Sequence, residues 1–347
     1  MKIVVLAGGL SPERNVSLSS GSMICQALRE KGHQVALVDL FFGLEDYEGE
    51  LEALYGAPIP EQFKKVDRNA PDLKAVRASR KDQSPSVIGK GVLELCATAD
   101  VVYLGLHGTC GEDGRIQATL DLLGVPYTGS GYLGSAIAMD KDLTKRVAST
   151  FGVRTPAWET VSYTEEEIPA IVDRTIVPCV IKPVDSGSSI GVSIANTKEE
   201  LAKGLKDSLC FSRVVLEQFV KGREIDVAVL DGVALPSIEI IPKVGFYDYK
   251  NKYQAGAAEE VCPTDIDPEI EKELRAMALT VHNALGLSVY SRSDYIVDAN
   301  NDVYFIEMNT LPGMTPTSLM PQEAAAAGID YETLCRTIVE VSLRERG

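Results

Sequence analysis

The sequence predicts an α/β protein that begins with a β-α-β unit and then changes to short strands in a mixed or antiparallel sheet. Two apolar runs flank an amphipathic segment within the first 40 residues, which is typical of a β-α-β start. From Arg154 onward, short strand-like runs separated by turn residues favour hairpins over further parallel repeats. The 347 residues exceed what one core usually supports, so we expect two or three domains.

The N-terminal part alternates strands and helices. Residues 2–7 are predicted to form a strand, and a helix should run from about residue 17 to residue 31. HQVALVDL gives a second strand, and ADVVYLGL gives a third that is followed by the helix RIQATLDLLG. Residues 43–90 show no period, which indicates an irregular insertion with at most one helix. We expect this α/β domain to end near residue 124.

The rest of the chain is predicted to build sheets covered by helices. A longer helix is expected around residues 133–149. The strand-like runs after it are PAWETV, CVIKPV, IGVSIA, VVLEQF, EIDVAVLD and ALPSIEII, and EEEIPAIVDR and TKEELAKGLKDSL have helical patterns. Residues 268–285 form a clear amphipathic helix, with Asp267 as its cap and Pro268 at its first position.

Composition excludes several classes of function. The formal net charge is -16 and no dense basic run is present, so we expect no nucleic-acid or anionic-membrane partner. The apolar start is too short for a signal-peptide core, and no stretch approaches about 20 apolar residues. Seven scattered cysteines without a C-x-x-C pair and only three histidines favour a cytoplasmic protein with reduced thiols over a zinc site.

The segment YSRSDYIVDANNDVYFIEMNT, residues 290–310, contains two strand-like runs around a turn. If Asn300 and Asn301 form a two-residue turn, Asp294 lies opposite Glu307, and residue 292 lies opposite residue 309 on the same face. Two carboxylates about 5 Å apart need a cation between them, and oxygen ligands favour Mg²⁺. The alternative is a solvated acidic edge, because a one-residue slip in register would separate these side chains.

The stretch VIKPVDSGSSIG suggests a phosphate-binding loop, although its spacing is not that of a P-loop. Lys182 ends a strand, and the loop SGSSIG offers backbone N–H groups and hydroxyls beside the lysine charge. An ordinary hairpin turn is the alternative interpretation. Lys141 in MDKDLTK is a further candidate phosphate contact, although a lone helical lysine is usually solvated.

Three further features have both a functional and a structural interpretation. GFYDYKNKYQAGAAEE, residues 245–260, combines tyrosines and lysines without a period, which predicts a loop that closes over a site rather than a disordered segment. His107 follows an apolar strand, where loops carry function, but it equally suits a structural hydrogen bond. Glu13 could bind a ligand or only stabilise the N-terminus of the next helix.

Taken in order, GGLSPERNVSLSSG, LHGTCGEDG, PYTGSG, MDK, VIKPVDSGSSIG, FYDYKNKY and IEMNTLPGMTPTSL resemble the motifs of the D-alanine-D-alanine ligases, which have the ATP-grasp fold. The resemblance covers the chain from its first strand to its last helix and is weakest over residues 43–90. It implies an N-terminal Rossmann-like domain (1–124) on the first-substrate side and a central ATP-grasp lobe (125–216). The C-terminal lobe (217–347) would carry the lid loop 245–260 and the metal site.

The resemblance also implies the roles of individual residues. The implied nucleotide contacts are Lys141, Lys182, Ser188, Ser189, Glu217, Gln218, Val220, Glu224 and Lys252. The implied catalytic residues are Glu13, His107, Ser188, Tyr253, Arg292 and Gly313. Substrate contacts are implied for Glu13, His107, Tyr247, Arg292, Gly313, Ser318 and Leu319. The implied magnesium ligands, Asp294, Glu307 and Asn309, agree with the register argument.

The activity implied by the resemblance is ATP-dependent joining of two D-alanines through a D-alanyl phosphate, for peptidoglycan precursor synthesis. It would use ATP and two Mg²⁺ ions, with Mn²⁺ as a substitute, in a cytoplasmic homodimer. Three alternatives stay open: D-serine or D-lactate as the second substrate, an ATP-grasp ligase of other specificity, and a nucleotide-binding protein without catalysis. Tyr253 favours an amine over a hydroxy acid as nucleophile. A nicotinamide oxidoreductase is excluded, since AGGLSPE lacks the G-x-G-x-x-G spacing.

Overall fold

The computed structural model describes residues 1–64, 70–187, 190–243 and 258–346. Its first sheet is parallel, with strands β1 (Lys2–Ala7), β2 (Gln34–Asp39) and β3 (Val101–Leu104) in the order β2-β1-β3. Helix α1 (Arg14–Glu30) connects β1 to β2 and begins three residues earlier than the sequence pattern predicts. The β-α-β start is therefore confirmed.

Among its described residues, the irregular insertion has one short α-helix, as expected, and two 3₁₀ turns. Two 3₁₀ turns, Leu51–Leu54 and Glu61–Lys64, precede α2 (Leu73–Ser79). Arg80 is buried after α2, where its guanidinium lies 4.4 Å from the ring centroid of Phe41 and donates to the Phe41 carbonyl at 3.2 Å. This contact fixes the insertion to the end of β2.

The predicted helix over residues 133–149 is wrong in one respect. After α3 (Val92–Cys96) and α4 (Arg115–Leu123), the structure has two helices, α5 (Tyr132–Met139) and α6 (Lys141–Thr150). Asp140 separates them because its backbone is extended and its carboxylate accepts a bond from the Leu143 amide, which is the geometry of a helix N-cap.

The second sheet is small and antiparallel. It contains β4 (Trp158–Val161), β5 (Cys179–Pro183), β6 (Ser193–Ala195) and β7 (Val214–Gln218), in the order β4-β7-β5-β6. Helices α7 (Ile168–Arg174) and α8 (Lys198–Asp207) cover it and share an apolar core with its strands. The short strands and the antiparallel sheet expected after residue 154 are thus confirmed, although β5 and β6 alone among these pairs are consecutive strands.

The third sheet is also antiparallel and carries most of the site. Its strands are β8 (Gly222–Leu230), β9 (Val233–Ala234), β10 (Ile238–Pro242), β11 (Ala258–Val261), β12 (Tyr290–Asp298) and β13 (Val303–Asn309). The order is β11-β10-β8-β12-β13, with β9 paired to β8. Residues 258–260, predicted to end the loop 245–260, instead pair with β10 in β11, while 245–257 lie outside the described residues.

Three helices complete the architecture. Helix α9 (Pro268–Ala284) packs on the third sheet, and its predicted cap is confirmed because the Asp267 carboxylate accepts from the Glu269 amide at 2.8 Å. Helix α10 (Leu319–Ala326) follows β13, and α11 (Tyr331–Arg346) packs against α1 in the first core. The domain boundaries at 124 and 216 stay predictions. Within the described ranges, no helix is long and apolar enough to cross a membrane.

Candidate active site

The hairpin of β12 and β13 places the four residues singled out from the sequence in the predicted pairs. Arg292 lies opposite Asn309, and Asp294 lies opposite Glu307. The predicted two-residue turn, however, is wrong. The Asp298 amide donates to the Asp302 carbonyl, so three residues form the turn.

A β-bulge compensates for the longer turn. Beyond Asp294 the register shifts, because Tyr295 pairs with Phe305 and leaves Ile306 as the extra residue on β13. The bulge adds one residue to β13. This offsets the one residue that the longer turn takes from the β12 side. The two carboxylates therefore face each other as predicted, although the turn between them is different.

Arg292 is held between two buried carboxylates. Its Nε and Nη2 donate to the two oxygens of Asp294 at 2.9 and 3.0 Å, and its Nε also lies 2.9 Å from Oδ2 of Asp226 on β8. Burial lowers the pKa of the guanidinium, but the charges of Asp294 and Asp226 outweigh burial and the pKa stays well above its usual range. Burial, and then the charge of Asp294, raise the pKa of Asp226.

Asp294, Glu307 and Asn309 form an all-oxygen donor set suited to Mg²⁺. In this structure Asp294 pairs with Arg292, and Glu307 lies 3.4 Å from the Nζ of Lys141. The Asn309 side-chain oxygen accepts from the Leu311 amide at 3.0 Å, which fixes its position at the end of β13. Within the described residues, no three His, Cys, Asp or Glu side chains lie together in a way that could hold a metal ion. The set of Asp294, Glu307 and Asn309 differs because it consists of two carboxylates and an amide.

A cleft between the second and third sheets adjoins this set. It encloses about 820 Å³, open solvent included. The cleft is lined by every described residue that the resemblance assigns to the nucleotide, and by two of the implied metal ligands: Lys141, Lys182, Glu217, Gln218, Val220, Glu224, Asp294 and Glu307. Apolar side chains of both sheets, including Ile194, Phe219 and Ile296, line the same cleft and offer faces on which a flat ring can pack.

The lysines of the cleft are positioned by their own contacts. Lys141 is the first residue of α6, and its Nζ donates to the Ser186 carbonyl at 2.6 Å. The break at Asp140 places it there, since the Lys141 amide donates to the Val184 carbonyl. Lys182 is the second-last residue of β5, and its Nζ lies 2.5 Å from Oε1 of Glu217.

Glu13 lies where two loops meet. A Cβ atom added to Gly108 or to Gly187 would approach Oε2 of Glu13 to 2.8 Å, so a side chain at either position would displace the Glu13 carboxylate. Gly108 also has a φ of 69°, which other residues rarely adopt. The carboxylate is thereby wedged between the loop after β3 and the loop after β5, with an exposed fraction of 7% for the residue.

His107 connects the first domain to the end of β13. Its Nδ1 lies 3.0 Å from the Leu311 carbonyl, and its Nε2 lies 3.4 Å from the Ser20 hydroxyl. Because a carbonyl only accepts, Nδ1 carries the proton and the Ser20 hydroxyl donates to Nε2. Burial lowers the pKa of His107, so the imidazole is neutral at pH 7.

Two family profiles match this chain. The one described as D-ala D-ala ligase N-terminus matches residues 2–130, and the one described as D-ala D-ala ligase C-terminus matches residues 147–340. The chain belongs to the D-alanine-D-alanine ligase family. It is therefore an ATP-dependent ligase with the ATP-grasp fold.

Individual members of the D-alanine-D-alanine ligase family match this chain over nearly its whole length. The D-alanine-D-alanine ligase of Pediococcus pentosaceus is 42% identical, covering 98% of this chain and 97% of that one. The enzyme of Lacticaseibacillus casei is 40% identical, at 99% and 96% coverage. Among solved structures, the ligase of Bacillus anthracis complexed with ATP has a TM-score of 0.75 and 30% identity, covering 100% of this chain and 98% of that one.

Gly313, Ser318 and Leu319 lie in the segment between β13 and α10 of the ligase. An added Cβ at Gly313 would lie 2.8 Å from the Ser318 hydroxyl, so the Gly313 backbone packs closely on this side chain. Ser318 receives a bond from the Thr315 amide at 3.1 Å and precedes α10. Leu319 is buried against Ile238 and belongs to a small apolar cluster.

Several residues that the resemblance implies lie outside the described residues. They are Ser188, Ser189, Tyr247, Lys252 and Tyr253. Their roles stay predictions of the resemblance.

Sequence reasoning missed several buried charged residues around the ligase site. Glu112, Lys145 and Asp226 are among them. Glu112 and Lys145 lie within the quoted motifs LHGTCGEDG and MDKDLTK, so the motifs gave a signal. Asp226 lies in the strand EIDVAVLD, where alternation alone did not distinguish it from a solvated position.

Glu112 gives a pH-dependent prediction. Its Oε2 accepts from the Gly108 amide at 2.5 Å, and burial, assisted by the charge of Glu13, raises its pKa to about 8. Between pH 5 and 8 the folded carboxyl keeps a proton that the unfolded chain releases, so the free energy of unfolding falls as pH rises, by at most about 1.4 kcal/mol per unit.

Glu112→Gln should flatten this dependence of the free energy of unfolding on pH, as measured by urea titrations at several pH values. The control Glu94→Gln, at an exposed position, should keep it, and equal slopes in all three proteins would contradict the assignment.

Proposed function

We propose that the chain joins two D-alanines into D-alanyl-D-alanine between the cleft and the neighbouring residues Glu13, His107 and Arg292. The dipeptide would supply peptidoglycan precursor synthesis. The observation that carries the proposal is the position of Asp294, which lines the cleft beside the lysines and also holds Arg292. The carboxylate of Asp294 therefore lies between the residues proposed for phosphoryl transfer and the residue proposed for acyl transfer.

The first step needs two anions to approach each other. The carboxylate of the first D-alanine attacks the γ-phosphorus of ATP, and the bond between this phosphorus and the β-phosphate oxygen breaks. The products are D-alanyl phosphate and ADP. Lys141 and Lys182 offset the repulsion between these anions, because both residues line the cleft. Glu13 suits the substrate's ammonium group because its carboxylate is fixed between two loops.

The second step is acyl transfer. The amine of the second D-alanine attacks the carbonyl carbon, the C–N bond forms, phosphate leaves, and the nitrogen loses a proton. Arg292 and the Gly313 amide are proposed to stabilise the tetrahedral oxyanion, and each such donor contributes about 3 to 4 kcal/mol in related reactions. Arg292 lies close enough to His107 that its positive charge helps to lower the pKa of the imidazole. Ser318 and Leu319 are proposed to lie beside the second substrate's carboxylate.

We propose that Asp294, Glu307 and Asn309 bind Mg²⁺ together with the nucleotide. Two Mg²⁺ ions are expected in total. Bound Mg²⁺ neutralises phosphate charge during transfer. The in-register pairing of the carboxylates on adjacent strands supports this assignment, because it leaves two negative groups facing each other. Lys141, which pairs with Glu307 in this structure, would then be released toward phosphate.

Adenine and ribose are proposed to bind between the second and third sheets. Glu217, Glu224 and the backbone of Gln218 and Val220 line the cleft there, beside the apolar side chains. The lid residues Tyr247, Lys252 and Tyr253 and the loop residues Ser188 and Ser189 complete the proposal from the resemblance alone.

We also propose a cytoplasmic homodimer. Support for the dimer is apolar surface on two adjacent helices, where Leu122 of α4 exposes 90%, and Tyr132 and Leu133 of α5 expose 53% and 60%. Support for the compartment is that all seven cysteines are free thiols.

The deciding experiment measures ADP release with Mg-ATP and no amino acid, L-alanine, D-alanine, or D-alanine with D-serine or D-lactate. We expect ADP release that depends on D-alanine, with dialanine as the product identified by mass. The residues support an amine as second substrate, so D-lactate should not compete. ADP release indifferent to D-alanine would contradict the proposed substrate and indicate a ligase of other specificity.

A further inference from the structure

Lys145 is a fully buried lysine that the proposed reaction does not use. Its exposed fraction is 0%, and it lies in the middle of α6. Its Nζ lies 2.5 Å from Oε2 of Glu217, donates to the Thr155 hydroxyl at 2.6 Å, and lies 5.8 Å from the ring centroid of Trp158. A buried ammonium is costly unless such partners compensate it.

Glu217 is shared by two lysines, one on each carboxylate oxygen. Lys182 lies 2.5 Å from Oε1 and Lys145 lies 2.5 Å from Oε2. Lys182 lines the cleft, whereas Lys145 lies behind Glu217 and does not line it. One of the two cations can therefore reach a ligand and the other cannot.

This arrangement matters when phosphate arrives. In the proposed reaction Lys182 leaves Glu217 for the phosphates of ATP. Glu217 exposes 2%, so without a second cation its carboxylate would be left buried and unpaired, which is strongly unfavourable. With Lys145 on Oε2, the carboxylate keeps one ion pair throughout.

We propose that Lys145 is a positioning residue that keeps Glu217 paired and in place while Lys182 exchanges between Glu217 and the phosphates of the nucleotide. The inference rests on the proposed function, since it takes Lys182 as a phosphate contact. It adds a residue to that function and explains why a carboxylate can line a cleft that binds polyphosphate.

The test is a double-mutant cycle on ADP affinity, measured by titration calorimetry with Mg²⁺ and no amino acid. Lys145→Met should weaken ADP binding by about tenfold or more, because releasing Lys182 would leave Glu217 unpaired. In the Glu217→Gln background no carboxylate can be left unpaired, so Lys145→Met should change ADP affinity by less than about twofold. Lys203→Met, at an exposed position of α8, is the matched control and should bind ADP normally.

Two results would overturn the inference. One is an unchanged ADP affinity in Lys145→Met. The other is an equal loss in the native and Glu217→Gln backgrounds, which would indicate a general effect on packing.

A second variant covers the case in which Lys145→Met does not fold, as judged by circular dichroism. Thr155→Val retains the lysine and removes its hydroxyl partner, and should weaken ADP binding about threefold. Again the loss should vanish in the Glu217→Gln background, and a loss that persists there would contradict the proposal. Trp158 is the only tryptophan, so its emission gives an independent reading of binding beside Lys145.

The design separates this inference from the proposed function. ADP binding without turnover supplies its readout, so failure to use D-alanine leaves the cycle interpretable. If the native chain does not bind ADP, both the proposed function and this inference fail.

Discussion

Arg292→Lys should lower the kcat of D-alanine-dependent ADP release by about 10²- to 10³-fold, while the KM for ATP changes little. Lysine keeps the positive charge between Asp226 and Asp294, which stabilises the fold. It cannot, however, present the planar fork that pairs with Asp294 while directing further N–H groups at a developing oxyanion. Steady-state kinetics with ATP and with D-alanine as the varied substrate measure kcat and the KM for ATP separately.

Arg223→Lys is the matched control for Arg292. Arg223 also lies on the third sheet and pairs with a carboxylate, but its partners are Glu239 and the Asp265 carbonyl rather than Asp294. Its replacement should leave kcat within about twofold of the native value. If both variants behave alike, Arg292 is structural and another group binds the oxyanion.

Glu307→Gln should raise the Mg²⁺ concentration that gives half-maximal activity by about tenfold or more and lower kcat strongly. The amide keeps the shape of the side chain but loses the charge that Mg²⁺ requires. Lys141, 3.4 Å from Glu307, loses an ion pair at the same time, which also makes the cleft more positive without metal. Activity measured against free Mg²⁺ at saturating ATP separates metal affinity from kcat.

The control for Glu307 is Glu273→Gln, at an exposed position of α9. It should leave both the Mg²⁺ dependence and kcat unchanged. An unaltered Mg²⁺ dependence in Glu307→Gln would mean that the facing carboxylates do not bind the metal and that the solvated-edge interpretation is correct.

The order of strands and helices was predictable because each element carries its own period and caps. The cap of Asp267 and the short strands after residue 154 are examples. The break at Asp140 was missed, although an Asp before a polar helical segment is a cap signal, because the apolar pattern runs through it. Propensity and periodicity act locally, so they locate elements better than their exact ends.

The register at Asp294 and Glu307 was predicted correctly from an assumption that proved wrong. Turn length and bulge position depend on how the hairpin packs against β8 and α9, and a strand pattern does not record this. Lys145 was missed for a related reason. A lysine in a helix is usually solvated, and only the packing of α6 against the cleft wall removes it from water.

The position of the last helix has a consequence for the order of synthesis. The core around the first sheet contains side chains from β1 and also Leu334 and Ile338 of α11, near the other end of the chain. Arg346, in the final turn, donates to the carbonyls of Tyr127 and Gly129. The ribosome synthesises β1 long before α11, so this part of the core of the first sheet is not covered until α11 has been made.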